Sequence, residues 1–238
     1  TQPYTVFGSN GQIGSIEIGG DDVDARFTGA GQVLFTEFLS IGARSSNSDF
    51  RPGRLRLQLD TGSPAFLDFI EVGKAGFASR LALAPTTRVE TLFFDLYPNA
   101  TVRFELDQNS GGSSSEPVLL AKTGLALGGT LEIVRQADGL LPPLGTVVDL
   151  LFVPSGIDAD STPAILTAAQ PGRRITPEFI DSDGDGIPDR LIGTIRTAET
   201  TNVPEEVQSL EIGSPTFAIE AADLDGDVID EIVIATEA

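Results

Sequence analysis

The chain has no cysteine, histidine, methionine or tryptophan, and only two tyrosines among its 238 residues. Without cysteine there are no disulfides and no thiolate nucleophile. Without histidine there is no His-ligated zinc and no imidazole acid–base catalysis. Basic residues are scarce: 15, against 35 acidic ones, for a net charge of −20. Phosphate contact needs a basic face, so nucleic-acid binding is not expected. No apolar run approaches the ~20 residues of a membrane-spanning helix. No signal peptide is visible, and the lack of an initiator methionine suggests a processed or trimmed chain whose Thr1 fits a mature N-terminus.

What is present reads as β-structure. Apolar residues make up 40%, including 14 Phe, enough for one large all-β domain or two smaller ones. They alternate with polar residues in runs of four to eight, the half-buried strand pattern. Arg54-Leu-Arg-Leu-Gln-Leu59, Val102-Arg-Phe-Glu-Leu106 and Gly129-Thr-Leu-Glu-Ile-Val134 are clear cases. Gly, Pro, Ser and Asn separate the runs as turns do. Gln108–Pro117 is a Gly/Ser-rich surface excursion.

A repeat runs through these strands. Phe35-Thr-Glu-Phe-Leu-Ser-Ile-Gly42 matches Phe66-Leu-Asp-Phe-Ile-Glu-Val-Gly73 at an offset of 31. An Arg-apolar-x-apolar unit recurs at Arg54, Arg80 and Arg103, at offsets of 26 and 23. Recurrence at this spacing points to stacked coils that share one core. Leu55, Leu57, Leu81, Leu83, Phe104 and Leu106 are then expected to face that core, between about residues 30 and 150. The fold class is all-β, with two architectures open. One is a β-solenoid, parallel β-helix-like, followed by a smaller calcium-binding β region; the other is a β-sandwich.

Thr123-Gly-Leu-Ala-Leu-Gly-Gly-Thr-Leu-Glu-Ile-Val134, the Pro142-Pro143 turn and Leu144-Gly-Thr-Val-Val-Asp-Leu-Leu151 resemble the closing segment of autotransporter-type passenger β-helices. The resemblance spans about 50 residues and implies a β-helix over about residues 30–169. It also implies a secreted, elongated and often adhesive protein.

The C-terminal third is the acidic end. Residues 155–238 hold 18 acidic and 4 basic residues, net −14, against −6 for residues 1–154. The sequence therefore divides into a β-solenoid or β-sandwich domain, 1–170, and an acidic calcium-binding β region, 171–238. Residues 181–189 read Asp-Ser-Asp-Gly-Asp-Gly-Ile-Pro-Asp. Asp181, Asp183, Asp185 and Asp189 occupy loop positions 1, 3, 5 and 9, and the position-7 carbonyl belongs to Ile187. Ca²⁺ takes six to eight oxygens at about 2.3–2.6 Å, and alternate residues of a tight loop can supply them. A second copy lies 42 residues on, with Asp223, Asp225, Asp227, Ile229 and Glu231 at the same offsets. Position 12 is Ile in both, so neither is an EF-hand. The first loop resembles the calcium loops of thrombospondin type 3 repeats, and residues 222–234 resemble the FG-GAP loop of integrin-type propellers. Both resemblances imply calcium and an extracellular setting.

No catalytic constellation stands out. Asp21, Asp22 and Asp24, or Asp158 and Asp160, sit among turn residues where Asp is favoured for geometry alone. Asn99-Ala-Thr101 is a glycosylation sequon. The sequence leads us to expect no enzyme. It suggests an extracellular or cell-surface, calcium-stabilised structural protein that self-assembles through terminal strands, as a homo-oligomer, into a surface layer or filament. The alternative is an adhesin or carbohydrate-binding module with glycan partners. Against the sugar reading stand the missing Trp and the presence of Tyr4 and Tyr97 alone.

Overall fold

The computed structural model describes residues 13–18, 22–27, 35–42, 52–59, 64–74, 76, 78–111, 116–137, 139–157, 163–167, 170, 172–198, 216–222 and 231–236. All regular elements among them are strands: β1 (Ile13–Ile18), β2 (Asp22–Phe27), β3 (Phe35–Ile41), β4 (Arg54–Leu59), β5 (Ala65–Val72), β6 (Arg80–Leu83), β7 (Val89–Leu96), β8 (Thr101–Leu106), β9 (Leu119–Leu127), β10 (Thr130–Arg135), β11 (Val147–Phe152), β12 (Ala164–Thr167), β13 (Arg174–Ile180), β14 (Arg190–Arg196), β15 (Thr216–Ala222) and β16 (Glu231–Thr236). Among these residues no helix is long and apolar enough to cross a membrane. The chain divides into two compact units, residues 1–199 and 200–238. The compositional boundary near residue 170 falls between β12 and β13, within the first unit. Within the second unit, β15 and β16 form an antiparallel pair.

In the first unit, successive strands alternate between two sheets. From β1 to β12 the odd strands lie in one sheet, which β14 and β13 extend to the order β1-β3-β5-β7-β9-β11-β14-β13 (the odd sheet), and the even strands build β12-β10-β8-β6-β4-β2 (the even sheet). Strands from β1 to β12 pair in parallel with the strand two along. Only at one end of the odd sheet do β14 and β13 add antiparallel. The fold is all-β with two mostly parallel sheets.

The register matches the repeat in two places and corrects it in a third. Phe35 lies opposite Phe66 and Ile41 opposite Val72, the offset of 31. Arg54 lies opposite Arg80, the offset of 26. Arg80, however, pairs with Thr101, an offset of 21, and Arg103 stands beside Ala82. The sequence match at 23 was two residues out. A slip of two keeps every side chain on its own face, so the inward set is unchanged. Leu55, Leu57, Leu81, Leu83, Phe104 and Leu106 are all buried in one aliphatic core.

Small side chains mark the corners before β4, β6, β8 and β10. Gly53, Ser79, Ala100 and Gly129 are buried there. Each lends its carbonyl to the start of the next strand in the same sheet: Arg80 N donates to Gly53 O, Thr101 N to Ser79 O, Thr130 N to Ala100 O and Ala164 N to Gly129 O, at 2.9–3.1 Å. A methyl group on Gly129 would come within 2.3 Å of Ala100 O, and one on Gly53 within 2.2 Å of Ile18 O. Backbone approaches backbone here, so no larger residue fits. Where β6 ends two residues short of β4, the buried Thr87 hydroxyl stands in. It donates to Leu57 O at 2.9 Å and accepts from Leu59 N at 3.2 Å.

Strands β5 and β7 of the odd sheet each bend once. Asp68-Phe69 and Leu92-Phe93 both place two consecutive residues outside, and the flanking Leu67, Ile70, Thr91 and Phe94 return to the interior. Thr91 Oγ1 donates to Phe93 O at 2.8 Å across the bend. The outward phenyl rings stack in a row: Phe38 on Phe69 at 5.3 Å, and Phe69 on Phe93 at 6.0 Å between centroids. The row ends over Gly124, where a side chain would lie 3.0 Å from the Phe93 ring.

The even sheet carries charge outside. Arg56 reaches over Ala82 to Glu105 at 2.7 Å, and Arg103 pairs with Glu132 at 2.7 Å. Ala82 points away from the core yet is only 4% exposed, because the arginine covers it.

Leu81 is 1% exposed, at the middle of the core. Leu81→Ala is expected to cost about 2–5 kcal/mol by leaving a cavity. Leu81→Asp should cost more, since it buries an unpaired charge. Phe93→Ala, on the outer row, should cost less than either. Urea denaturation of the three variants checks this order.

Candidate metal site

The loop 181–189 closes the β13–β14 hairpin, whose last pair is Ile180 with Arg190. The loop is organised by its own carboxylates. Asp181 Oδ1 accepts from Gly184 N at 2.7 Å and Oδ2 from Gly186 N at 2.8 Å. Asp183 Oδ1 accepts from Asp185 N at 3.2 Å, and Asp185 Oδ1 from Ile187 N at 2.8 Å. Gly184 and Gly186 turn the chain at φ of 82° and 92°, a conformation other residues seldom adopt. The amide bonds from Gly186 and Gly184 hold the Asp181 carboxyl below its ordinary value of 3.8.

Asp181, Asp183 and Asp185 are brought together, all exposed, with one oxygen of each within 4.8 Å of the others. Asp189 is buried and turned the other way: its Oδ1 accepts from Ser182 N at 2.9 Å and its Oδ2 from the Ser182 hydroxyl. Ile187 is exposed in the loop, its side chain lying over Gly156. Asp223, Asp225, Asp227 and Ile229 lie outside the described residues. Glu231 opens β16 opposite Ala222. Three clustered carboxylates offer hard oxygen donors with spare lone pairs, a set that fits a divalent cation such as Ca²⁺.

The base of the loop is fastened to the end of the core. Val153 N donates to Asp189 O at 2.8 Å, and Ile157 N to Pro188 O at 2.7 Å. Arg190 follows at once. It pairs with Asp149 on β11 and lies over the Phe152 ring at 4.1 Å. Burial pushes the Asp149 carboxyl above 3.8 despite Arg190. The sequence reading missed Ser182, Asp149 and Arg190. Ser182 has a signal within the loop, but Asp149 and Arg190 stand 41 residues apart and meet only through the sheet.

A second polar cluster lies on the outer face of the odd sheet. Ser40, Glu71 and Asp95 stand in register on β3, β5 and β7. Glu71 is buried; it accepts from the Ser40 hydroxyl at 2.8 Å and from Lys74 Nζ at 2.9 Å. The Glu71 bond and charge raise the Lys74 pKa. Asp95 has the opposite situation. Burial first, and then the Glu71 charge, raise its carboxyl above 3.8, while Lys74 pulls the other way.

Compared with known proteins, the chain matches no family model, no curated protein and no solved structure. Function is therefore argued from the geometry and chemistry of the chain itself.

Asp95 binds its proton more tightly in the folded than in the unfolded state. Its contribution to stability is complete below the unfolded value near 3.8 and is lost as pH rises through the higher folded value. Asp95→Asn removes this effect. The variant should be more stable than the wild type at pH 7, with the gap closing as pH approaches 4. Chemical denaturation at both pH values measures it, and an equal gap at both would contradict the assignment.

Proposed function

We propose that the chain is an extracellular, calcium-stabilised structural protein that self-assembles as a subunit of a cell surface or filament. The observation that carries this reading is the 181–189 loop. Three exposed carboxylates converge there, and the loop base is bonded to the β11 end of the core. In this reading Asp181, Asp183 and Asp185 hold Ca²⁺ with the Ile187 carbonyl, and Asp189 fastens the base of the loop through Ser182. Asp223, Asp225, Asp227, Ile229 and Glu231 form a second site of the same kind. The two sheets are read as the faces of a parallel β-solenoid, one coil per odd–even strand pair. The i to i+2 parallel register and the single shared core support that reading over a sandwich.

A solenoid ends in open strands, and open strands accept further strands. Assembly through terminal strands follows from this. The net charge of −20 opposes it, because like-charged copies repel. Each bound Ca²⁺ cancels two charges, so assembly is strengthened by calcium. Free Ca²⁺ is abundant outside cells, which favours an extracellular location. A carbohydrate platform finds less support in the phenyl row, whose rings face one another at 5.3 and 6.0 Å.

A ligand that binds only the folded state stabilises it by about 2.7 kcal/mol at 100 times its Kd. Adding Ca²⁺ to chelator-treated protein should raise Tm, and Asp183→Asn should reduce the rise. Elemental analysis must first establish the metal content. Indifference of the melting curve to both ion and variant would count against the site.

Deleting residues 1–7, or separately 232–238, should lower the sedimentation coefficient of the assembled protein in Ca²⁺. Two folded truncations that sediment like the parent would show that the termini are not the joints.

A further inference from the structure

The outer face of the even sheet sets arginines side by side on neighbouring strands. Arg54 on β4 lies opposite Arg80 on β6, Arg80 opposite Thr101 on β8, and Thr101 opposite Thr130 on β10. The residues that follow them, Leu55, Leu81, Val102 and Leu131, are buried, so these four positions form one outward row. Adjacent strands stand about 4.8 Å apart, and like charges directly opposite each other are unfavourable. The next row repeats the charge. Arg56 and Arg103 flank Ala82, two residues along from Arg80. Their acids are already engaged: Arg56 is held by Glu105 and Arg103 by Glu132, each at 2.7 Å. Asp22 stands opposite Arg54 in the register of β2. Arg80 is thus bordered by three arginines, and among the described residues its guanidinium has no hydrogen bond or ion pair. The Thr101 and Thr130 hydroxyls likewise have no partner among the described residues. Although the chain has 35 acidic residues against 15 basic ones, none of these neighbours offers Arg80 a spare carboxylate. An anion from outside can take that place.

We propose that Arg54, Arg80 and the Thr101 and Thr130 hydroxyls bind an acidic saccharide, with one carboxylate or sulfate group resting between the two guanidiniums. Arginine meets such oxyanions with paired, charge-assisted N–H donors. Long side chains on strands this close both reach a single group. The threonine hydroxyls continue the row across β8 and β10. Each can donate and accept, which suits the neutral hydroxyls of a sugar. The surroundings select the ligand. Asp22 and Asp24 on β2 border the arginines on one side, and Glu105 and Glu132 lie on the other. A dense polyanion such as nucleic acid would meet these acids on both flanks. An anionic membrane surface is repelled by the net charge of −20. A ligand with isolated charges among neutral hydroxyls meets neither obstacle. The site lies on the other sheet from the phenyl row, and it requires neither the calcium loop nor self-assembly.

The test is isothermal titration calorimetry of the full chain, in Ca²⁺ and at low ionic strength, with three probes: trigalacturonate, dextran sulfate and neutral dextran. The wild type is expected to bind at least one acidic probe and not the neutral one. The acidic probe that binds distinguishes a carboxylate ligand from a sulfate ligand. Arg80→Gln and Arg54→Gln should each raise the dissociation constant by about tenfold. Arg196→Gln removes an exposed cation from β14 and should leave the affinity unchanged. Circular dichroism and melting curves check that the variants fold; if Arg80→Gln melts early, the exposed Arg54→Gln carries the test. A wild type that binds neither acidic probe, or binds neutral dextran equally well, overturns the site. So does wild-type affinity in the folded Arg54 and Arg80 variants, or an equal loss in Arg196→Gln.

Discussion

The parallel backbone ladder between each strand and the strand two along is the constraint on which the rest depends. Each strand pairs with the strand two along, in parallel and in register, so its inward residues stack on their counterparts. Parallel sheets with a shared interior bury their aliphatic residues on one side of every strand. The alternation Leu55, Leu57, Leu59 is then repeated by Leu81 and Leu83, by Val102, Phe104 and Leu106, and by Leu131 and Ile133. No single strand could bury this face alone.

The ladder also dictates what happens at its corners. The chain must turn from one sheet to the other while its carbonyls still reach the neighbouring strand. This restricts Gly53, Ser79, Ala100 and Gly129 to small residues and assigns the Thr87 hydroxyl the bonds that the short β6 cannot make. The outer faces are organised by the same register. It places Ala82 beside Arg56 and lets the guanidinium cross to Glu105, and it brings Asp95 alongside Glu71. Ion pairs on a sheet's outer face contribute little each, typically about 0–1 kcal/mol where solvent reaches them. Their effect is to shield Ala82 and settle like charges rather than to hold the sheets together.

At the β11 end the parallel pattern gives way to the antiparallel β14 and β13, and the acidic loop sits on this hairpin. Its base is bonded to Val153 and Ile157, and Arg190 is held by Asp149 and Phe152. A cation bound by the three exposed aspartates would therefore act on the hairpin that covers the end of the odd sheet. This links the loop chemistry to the structural role proposed for the chain.

Strand type and the buried set were legible in the sequence because side chains alternate with a period of two, and local order suffices to display it. The match of Phe35–Gly42 to Phe66–Gly73 carried the true register because both segments share the same bend and the same closing glycine. The Arg80–Arg103 match did not. Similar residues two positions apart share a face, and only the hydrogen-bonded ladder distinguishes the two alignments. The gathering of Asp181, Asp183 and Asp185 was likewise readable, since a loop of alternating Asp and Gly folds on itself through local amide bonds. The Asp149–Arg190 pair and the antiparallel seating of β14 on β11 were decided by tertiary structure. Each depends on which distant strand lies alongside, and the backbone pattern of one strand carries no record of its neighbour.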